Sequence, residues 1–225
     1  MLDYDVKGNL AHVCAELPKE VKLVAISKFH PDEYIIAAYE EGQRIFGESQ
    51  EQELRGKHER LPKDIEWHFI GHLQTNKVKY IVPYTTMIEA VDSMKLMREI
   101  NRQAEKNGRV IDVLMELHVA NEETKYGLTP GAMRELFANG EWSTLENVRI
   151  RGIMTMASYT DDEDVITGEF MEASNVFDEI KAQYFSNEES FNCRSWGMSG
   201  DYHIACRCNS NMVRVGTTIF GPRVY

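Results

Sequence analysis

Leu23-Val-Ala-Ile-Ser-Lys28-Phe-His-Pro31 decides the architecture of this chain. The run 23–27 has the length and apolar character of a buried strand, and Pro31 opens a helical pattern. The segment therefore predicts a strand, a short loop and a helix. Lys28 stands at the carboxyl end of that strand. A lysine there is costly unless it is paired, reaches solvent or is used covalently. On this segment alone the simpler account is a surface lysine with its stem on apolar neighbours. The functional account is a Schiff-base lysine whose surroundings favour the neutral amine.

Moving outward, the same unit recurs. Short runs rich in Val, Ile, Phe or Met predict strands over 22–28, 44–48, 66–71, 87–92, 112–119, 149–156, 194–199 and 212–216. Longer amphipathic patterns predict helices over 32–41, 50–60, 74–81, 93–107, 130–139, 161–184 and 201–206. Gly42 and Gly108 stand as stop signals, and Ser93 as a start. Val6, Leu10, Val13 and Leu17 form one apolar stripe, which predicts an extra helix at the amino terminus. Strands alternating with helices imply a parallel α/β sheet, and eight of them can close a TIM (β/α)8 barrel. An open doubly wound sheet is the alternative, since counting strands does not prove closure. No linker, repeat or low-complexity stretch divides the chain, so residues 1–225 are expected to form a single domain.

Composition narrows the functional classes. Hydrophobic residues make up 43% of 225, as in an ordinary globular protein. Lysine and arginine total 25 against 36 acids, a net charge of −11 that repels nucleic acid and anionic membranes. The amino terminus carries Asp3 and Asp5 and resembles no signal peptide, and no apolar run reaches membrane-spanning length. A cytoplasmic location is expected. Four cysteines suit a reducing compartment. Cys193, Cys206 and Cys208 lie near His203, but their spacing matches no zinc pattern, so no metal is assigned. His68 and His72 are read as strand-end packing or hydrogen-bonding residues, and the Asp161–Asp164 acids as a solvated helix start.

In a barrel, chemistry sits on the loops after the strands. That edge collects Lys28, Glu48, Ser49, Gly71, His72, Asp92, Asn121, Ser158, Ser199 and Thr217. The last two βα segments are the sharpest: Ser195-Trp-Gly-Met-Ser-Gly-Asp201 and Val213-Arg-Val-Gly-Thr-Thr-Ile-Phe-Gly221. Their glycines and hydroxyls would let backbone N–H groups approach a phosphate closely. Tight turns alone would account for Gly197, Gly200 and Gly216 equally well.

Taken together, the segments resemble the pyridoxal phosphate homeostasis protein family. The motifs that carry the resemblance are Ala25-Ile-Ser-Lys28, Phe46-Gly-Glu-Ser49 with Gln52-Glu53, and Trp67-His-Phe-Ile-Gly-His-Leu-Gln-Thr-Asn-Lys77. Further along come Lys125-Tyr-Gly127, Gly152-Ile-Met-Thr-Met156, Gly197-Met-Ser199 with Asp201, and Val213-Arg-Val-Gly216 leading to Phe220-Gly221. The resemblance spans essentially the whole chain. It implies a TIM barrel like the amino-terminal domain of alanine racemase, with Lys28 holding pyridoxal 5′-phosphate as an internal aldimine. It also implies that Ser199, Gly216 and Thr217 bind the phosphate and that Arg214 faces the pyridine nitrogen. Ser49 would lie near the ring, and Met154 would line its pocket. Trp196, Asn209 and Asn211 depart from the family pattern and are expected to alter the closure of the phosphate end.

Arginine cannot accept a proton from the ring nitrogen, so Arg214 would disfavour transaminase or decarboxylase chemistry. The chain stops at Tyr225, with no room for the second domain that completes the alanine racemase site. The expected function is thus a cofactor carrier or buffer in vitamin B6 and amino-acid homeostasis, without a catalytic residue. Its expected partners are the small-molecule cofactor and pyridoxal phosphate-dependent apoenzymes, and its expected state is a monomer. A small amino-acid racemase or lyase is the alternative, and a barrel for some other anion is a third. Replacing Arg214 is expected to weaken cofactor retention more than global stability.

Overall fold

Eight parallel strands close on themselves in sequence order in the computed structural model, which describes residues 4–120 and 126–222. Asn121, Lys125 and Tyr225, singled out above, lie outside the described residues. The strands are β1 (Lys22–Ile26), β2 (Ile45–Glu48), β3 (Glu66–Phe69), β4 (Met87–Val91), β5 (Ile111–Leu117), β6 (Val148–Thr155), β7 (Cys193–Ser195) and β8 (Met212–Val215). Closure is made by β1 against β8, with Val24 opposite Arg214 and Ala25 opposite Val215. This is a TIM barrel, and the open-sheet alternative falls.

Around it lie α1 (Val6–Glu16), α2 (Asp32–Glu40), α3 (Glu51–Arg60), α4 (Val78–Ile81), α5 (Met94–Lys106), α6 (Pro130–Ala138), α7 (Glu163–Tyr184), α8 (Tyr202–Arg207) and α9 (Thr217–Phe220). Their starts follow local chemistry. The Asp5 carboxylate accepts from the Gly8 N–H, the Ser93 hydroxyl from Leu96, and Asp162 from Asp164 and Val165. Each satisfies a donor that the first turn leaves unpaired. Thr129 caps α6 with Pro130 just inside it, where a missing N–H costs nothing. As predicted, α1 buries Val6, Leu10 and Val13.

Two predicted elements differ. The helix expected over 74–81 splits into a 3₁₀ turn, Thr75–Lys77, and the single turn of α4. The seventh strand, expected over 194–199, is only three residues long. Gly197 then adopts φ +99°, where a Cβ would fall 2.9 Å from the Tyr202 Cα, so the chain turns there instead of extending.

Strand alternation sorts side chains into two shells. One face packs under the helices, with Phe46, Trp67, Ile88, Val113 and Ile153 wholly buried. The other fills the lumen with Val24, Ile26, Met87, Leu114, Met154 and Met212. Bulges in the β4–β5 and β5–β6 pairings shift the register. At the second of these Gly152 has φ +150°, and a Cβ there would fall 1.9 Å from the Cys193 carbonyl oxygen.

Candidate functional site

Because β1 is hydrogen-bonded to β8 on one side and β2 on the other, the loops after these strands meet at the carboxyl-end mouth. Ser199 follows β7, and its hydroxyl accepts from the N–H of Gly216 at 3.1 Å and of Thr218 at 3.5 Å. Thr217 is exposed between those two donors. Gly216 is pressed against β1, since a Cβ there would lie 3.1 Å from the Ile26 carbonyl oxygen. Lys28 is half-buried two residues past Ile26. Ser49 occupies the neighbouring position after β2, with Gly71 packed against its backbone, and Met154 is buried in the lumen wall. Lys28, Ser49, Ser199, Gly216 and Thr217 thus share one end of the barrel, while Met154 and Arg214 reach it from the strands below.

The Lys28 turn rests on a buried ion cluster. Lys57, from α3, places its Nζ 2.8 Å from Glu48 Oε1, 2.7 Å from Glu53 Oε1 and 2.8 Å from the Ser27 carbonyl oxygen. The Ser27 hydroxyl donates to Glu48 at 2.6 Å, and the Phe29 N–H donates to Glu53 at 2.7 Å. Burial pushes the Glu48 carboxyl up to about 7, with the Lys57 charge opposing it.

A second buried network crosses the lumen below. Arg214 Nη1 donates to the carbonyl and hydroxyl oxygens of Ser195, both at 2.6 Å, and Nη2 to the Thr155 carbonyl at 2.7 Å. Ser195 Oγ donates to Glu89 Oε2 at 2.6 Å, and Glu89 Oε1 lies 2.6 Å from His68 Nδ1. Burial works to raise the Glu89 carboxyl, but the His68 hydrogen bond and charge, Arg214 and Ser195 together bring it below its ordinary value. An ionised carboxylate only accepts, so His68 Nδ1 carries the hydrogen. On the far side of the mouth Glu116 is 4% exposed, and its Oε2 has no hydrogen-bond partner. Burial, reinforced by the Asp92 charge, pushes its carboxyl up to about 7.

Several expectations are revised by these placements. Asn209 and Asn211 do not border the Ser199 end. Asn209 Nδ2 reaches Ser174 on α7, and Asn211 bonds the backbone of Arg194 and Asn192 at the amino-terminal edge of β7 and β8. Trp196 is buried among the helices and donates to the Cys208 carbonyl, so it is a packing residue. Replacing Arg214 would also strip Glu89 of a buried counter-charge, so global stability should fall as well as cofactor retention. His203 faces Glu16 at 3.6 Å, whereas Cys193 lies in the lumen with its Sγ 3.8 Å from Met212 Sδ. His72 stacks on Tyr126 with centroids 3.9 Å apart, and its Nδ1 is 3.5 Å from Asp92.

Sequence reasoning missed both networks. Glu53 and Lys57 sit at the i, i+4 spacing of a helix pair, which is the one available signal, but that spacing ordinarily marks an exposed pair. Glu89 lies within an otherwise apolar strand, Met-Ile-Glu-Ala-Val, buried at every position. A charge in such a strand signals a partner without saying which one.

Comparison with known proteins agrees with the barrel fold. Residues 5–224 match the family model described as alanine racemase, N-terminal domain. The chain is 39% identical over 206 residues to the pyridoxal phosphate homeostasis protein of Aquifex aeolicus (strain VF5), covering 91% of this chain and 88% of that protein. PipY of Synechococcus elongatus PCC7942, solved without PLP and with PLP bound, superposes with TM-scores of 0.90 and 0.87. It is 32% identical, and the match covers 96% of this chain and 100% of PipY. An alanine racemase of Clostridium difficile 630, 15% identical with a TM-score of 0.76, shares the fold; the match covers 96% of this chain and 56% of that enzyme.

Proposed function

The chain belongs to the pyridoxal phosphate homeostasis protein family, and on that premise we propose that it binds pyridoxal 5′-phosphate at the carboxyl-end mouth of its barrel. Lys28 is the covalent attachment point. The observation that carries the reading is the adjacency of β1 and β8. It sets the Lys28 turn beside the Ser199 hydroxyl and the N–H groups of Gly216 and Thr218. A phosphate needs such a convergence of small donors, and a side chain at Gly216 would crowd Ile26.

When bound, the cofactor supplies an aldehyde carbon open to an amine and a ring that withdraws electrons. The protein's residues divide the remaining work. Ser199, Gly216 and Thr217 hold the phosphate, Ser49 and Met154 flank the ring, and Arg214 faces the pyridine nitrogen. A guanidinium is a cation at any accessible pH and takes no proton there, so it leaves the ring a weak electron sink. That supports a carrier and regulator of the cofactor in vitamin B6 and amino-acid homeostasis over a catalyst with robust turnover. Residues 1–225 act as one cofactor-binding domain, monomeric and cytoplasmic, with pyridoxal phosphate-dependent apoenzymes as recipients. Among the described residues no helix is long and apolar enough to cross a membrane, and no group of three His, Cys, Asp or Glu is placed to hold a metal ion.

A racemase or lyase is the second reading, favoured by Glu116. Its buried carboxyl near neutrality could hold or release a proton at the mouth. Amino-acid turnover by purified protein at ordinary enzyme rates would select it over the carrier. The primary test is intact mass after incubation with pyridoxal phosphate and borohydride, for wild type and Lys28→Ala. A single adduct in the wild type alone is expected. Equal adducts in both proteins would remove Lys28 from the site.

A further inference from the structure

Both peptide groups that flank Lys28 are tied to the same two side chains. The Ser27 carbonyl accepts from Lys57 Nζ at 2.8 Å, and the Phe29 N–H donates to Glu53 Oε1 at 2.7 Å. Lys57 Nζ and Glu53 Oε1 are themselves 2.7 Å apart, so the four groups close a ring around the Lys28 backbone. Phe29 has φ +65°, a left-handed conformation that few non-glycine residues adopt. Such a conformation persists when its surroundings over-determine it, and strain of this kind gathers at ligand clamps. Lys57 is 2% exposed, and its charge is compensated by Glu48 on one side and Glu53 on the other.

A helix–strand contact could be made from apolar residues. Burying Lys57 and Glu48, with Glu53 half-buried beside them, to hold one turn is costly, and a buried ion pair is generally weak evidence of stabilisation. What the ring does supply is geometry. With the peptide groups on both sides held, the Lys28 side chain starts from a fixed base.

We propose that Glu53 and Lys57 are positioning residues that aim the Lys28 amine, Glu53 by holding the Phe29 amide and Lys57 by holding the Ser27 carbonyl. The inference rests on the reading of Lys28 as the attachment lysine and deepens it. Neither side chain needs to touch the cofactor. The clamp acts on the rate at which the amine and an aldehyde meet, because a misaligned nucleophile loses rate steeply with small displacements.

Glu53→Leu and Glu53→Gln test it. Glutamine keeps a carbonyl acceptor for the Phe29 amide, whereas leucine does not. Two ligands are used: pyridoxal phosphate, scored by the rate of borohydride-trapped adduct on Lys28, and pyridoxine 5′-phosphate, which lacks the aldehyde and reports the phosphate cradle alone. The expected result is attachment slowed on the order of tenfold or more in Glu53→Leu and largely restored in Glu53→Gln. Pyridoxine phosphate affinity should stay unchanged in both; Glu53→Leu removes one of the two carboxylates facing buried Lys57 and should melt below wild type, whereas Glu53→Gln should lose less. Equal attachment rates in wild type and Glu53→Leu would overturn the proposal, and so would a parallel loss of pyridoxine phosphate binding. A wild type that forms no adduct on Lys28 would instead overturn the function proposed above. Should Glu53→Leu fail to fold, Phe29 amide exchange in the wild type decides: strong protection is expected, and exchange at the rate of an open loop refutes the clamp.

Discussion

Glu89 and Arg214 are opposite charges 3.9 Å apart in the barrel lumen, and the Ser195 hydroxyl hydrogen-bonds to both. Neither charge reaches water, so each depends on the other and on the surrounding dipoles. Glu89→Ala should cost about 3–5 kcal/mol of unfolding free energy, the range for breaking a buried pair. Glu89→Gln, which keeps a hydrogen-bonding shape, should cost less. Urea titration at pH 7 checks this, and a loss below about 1 kcal/mol for Glu89→Ala would show that water reaches the pair. Since the Glu89 carboxyl is depressed in the fold, its stabilisation is present above the unfolded value of 4.5 and is lost as pH falls through the folded one.

Glu116 has the opposite sign. Its carboxyl rises from 4.5 to about 7, so the folded state holds a proton that the unfolded chain has released across that window. Its contribution is fully present below pH 4.5 and declines as pH rises to 7, with Glu48 adding to the same slope. Glu116→Gln should flatten this decline and gain up to about 3 kcal/mol at pH 8 relative to wild type. Denaturation at pH 5 and pH 8 measures it, and parallel pH profiles for the two proteins would contradict it.

Ser199→Ala tests the phosphate cradle. Loss of one charge-assisted hydrogen bond should weaken pyridoxal phosphate binding by about 0.5–2 kcal/mol, roughly a 2- to 30-fold rise in Kd. Fluorescence titration against pyridoxine phosphate provides the same number without the covalent step. Unchanged affinity in both assays would place the phosphate elsewhere.

Gly152→Ala should be among the most damaging single changes outside the site. An alanine there would need φ near +150° and would drive its Cβ to 1.9 Å from the Cys193 carbonyl oxygen, which is backbone and cannot rotate aside. A loss of about 2–5 kcal/mol is expected, read as a lowered urea midpoint. Wild-type stability would mean that the β5–β6 bulge can move to a neighbouring residue.

Much of the fold was legible because local rules and the global arrangement agree. The runs around Val24, Ile88, Val113 and Val213 are mostly apolar and buried on both faces, as a strand between a lumen and a helix layer must be. The exceptions are informative. The seventh strand stops at Ser195 because Gly197 turns against Tyr202, a contact that depends on where α8 docks. Lys28 and Ser199 stand out by loop position and family resemblance, and Arg214 by resemblance alone. Glu89 and Lys57 looked like ordinary charged residues because nothing adjacent in sequence declares their burial.

Residue order alone determined the number of strands, their parallel sense and the presence of a lysine where the first one ends, since period and turn chemistry act over a few residues at a time. Only closure of the barrel decided that β1 lies beside β8, which sets Gly216 against Ile26 and puts the Lys28 turn at the same end of the barrel as Ser199, from the other end of the chain. Docking of α3 on β1 and β2 decided that Lys57 is sealed beneath the Lys28 turn, and closure decided that Glu89 meets Arg214. Those pairings join groups 30 to more than 100 residues apart, and the low dielectric that makes them strong exists only once the helices have covered the sheet.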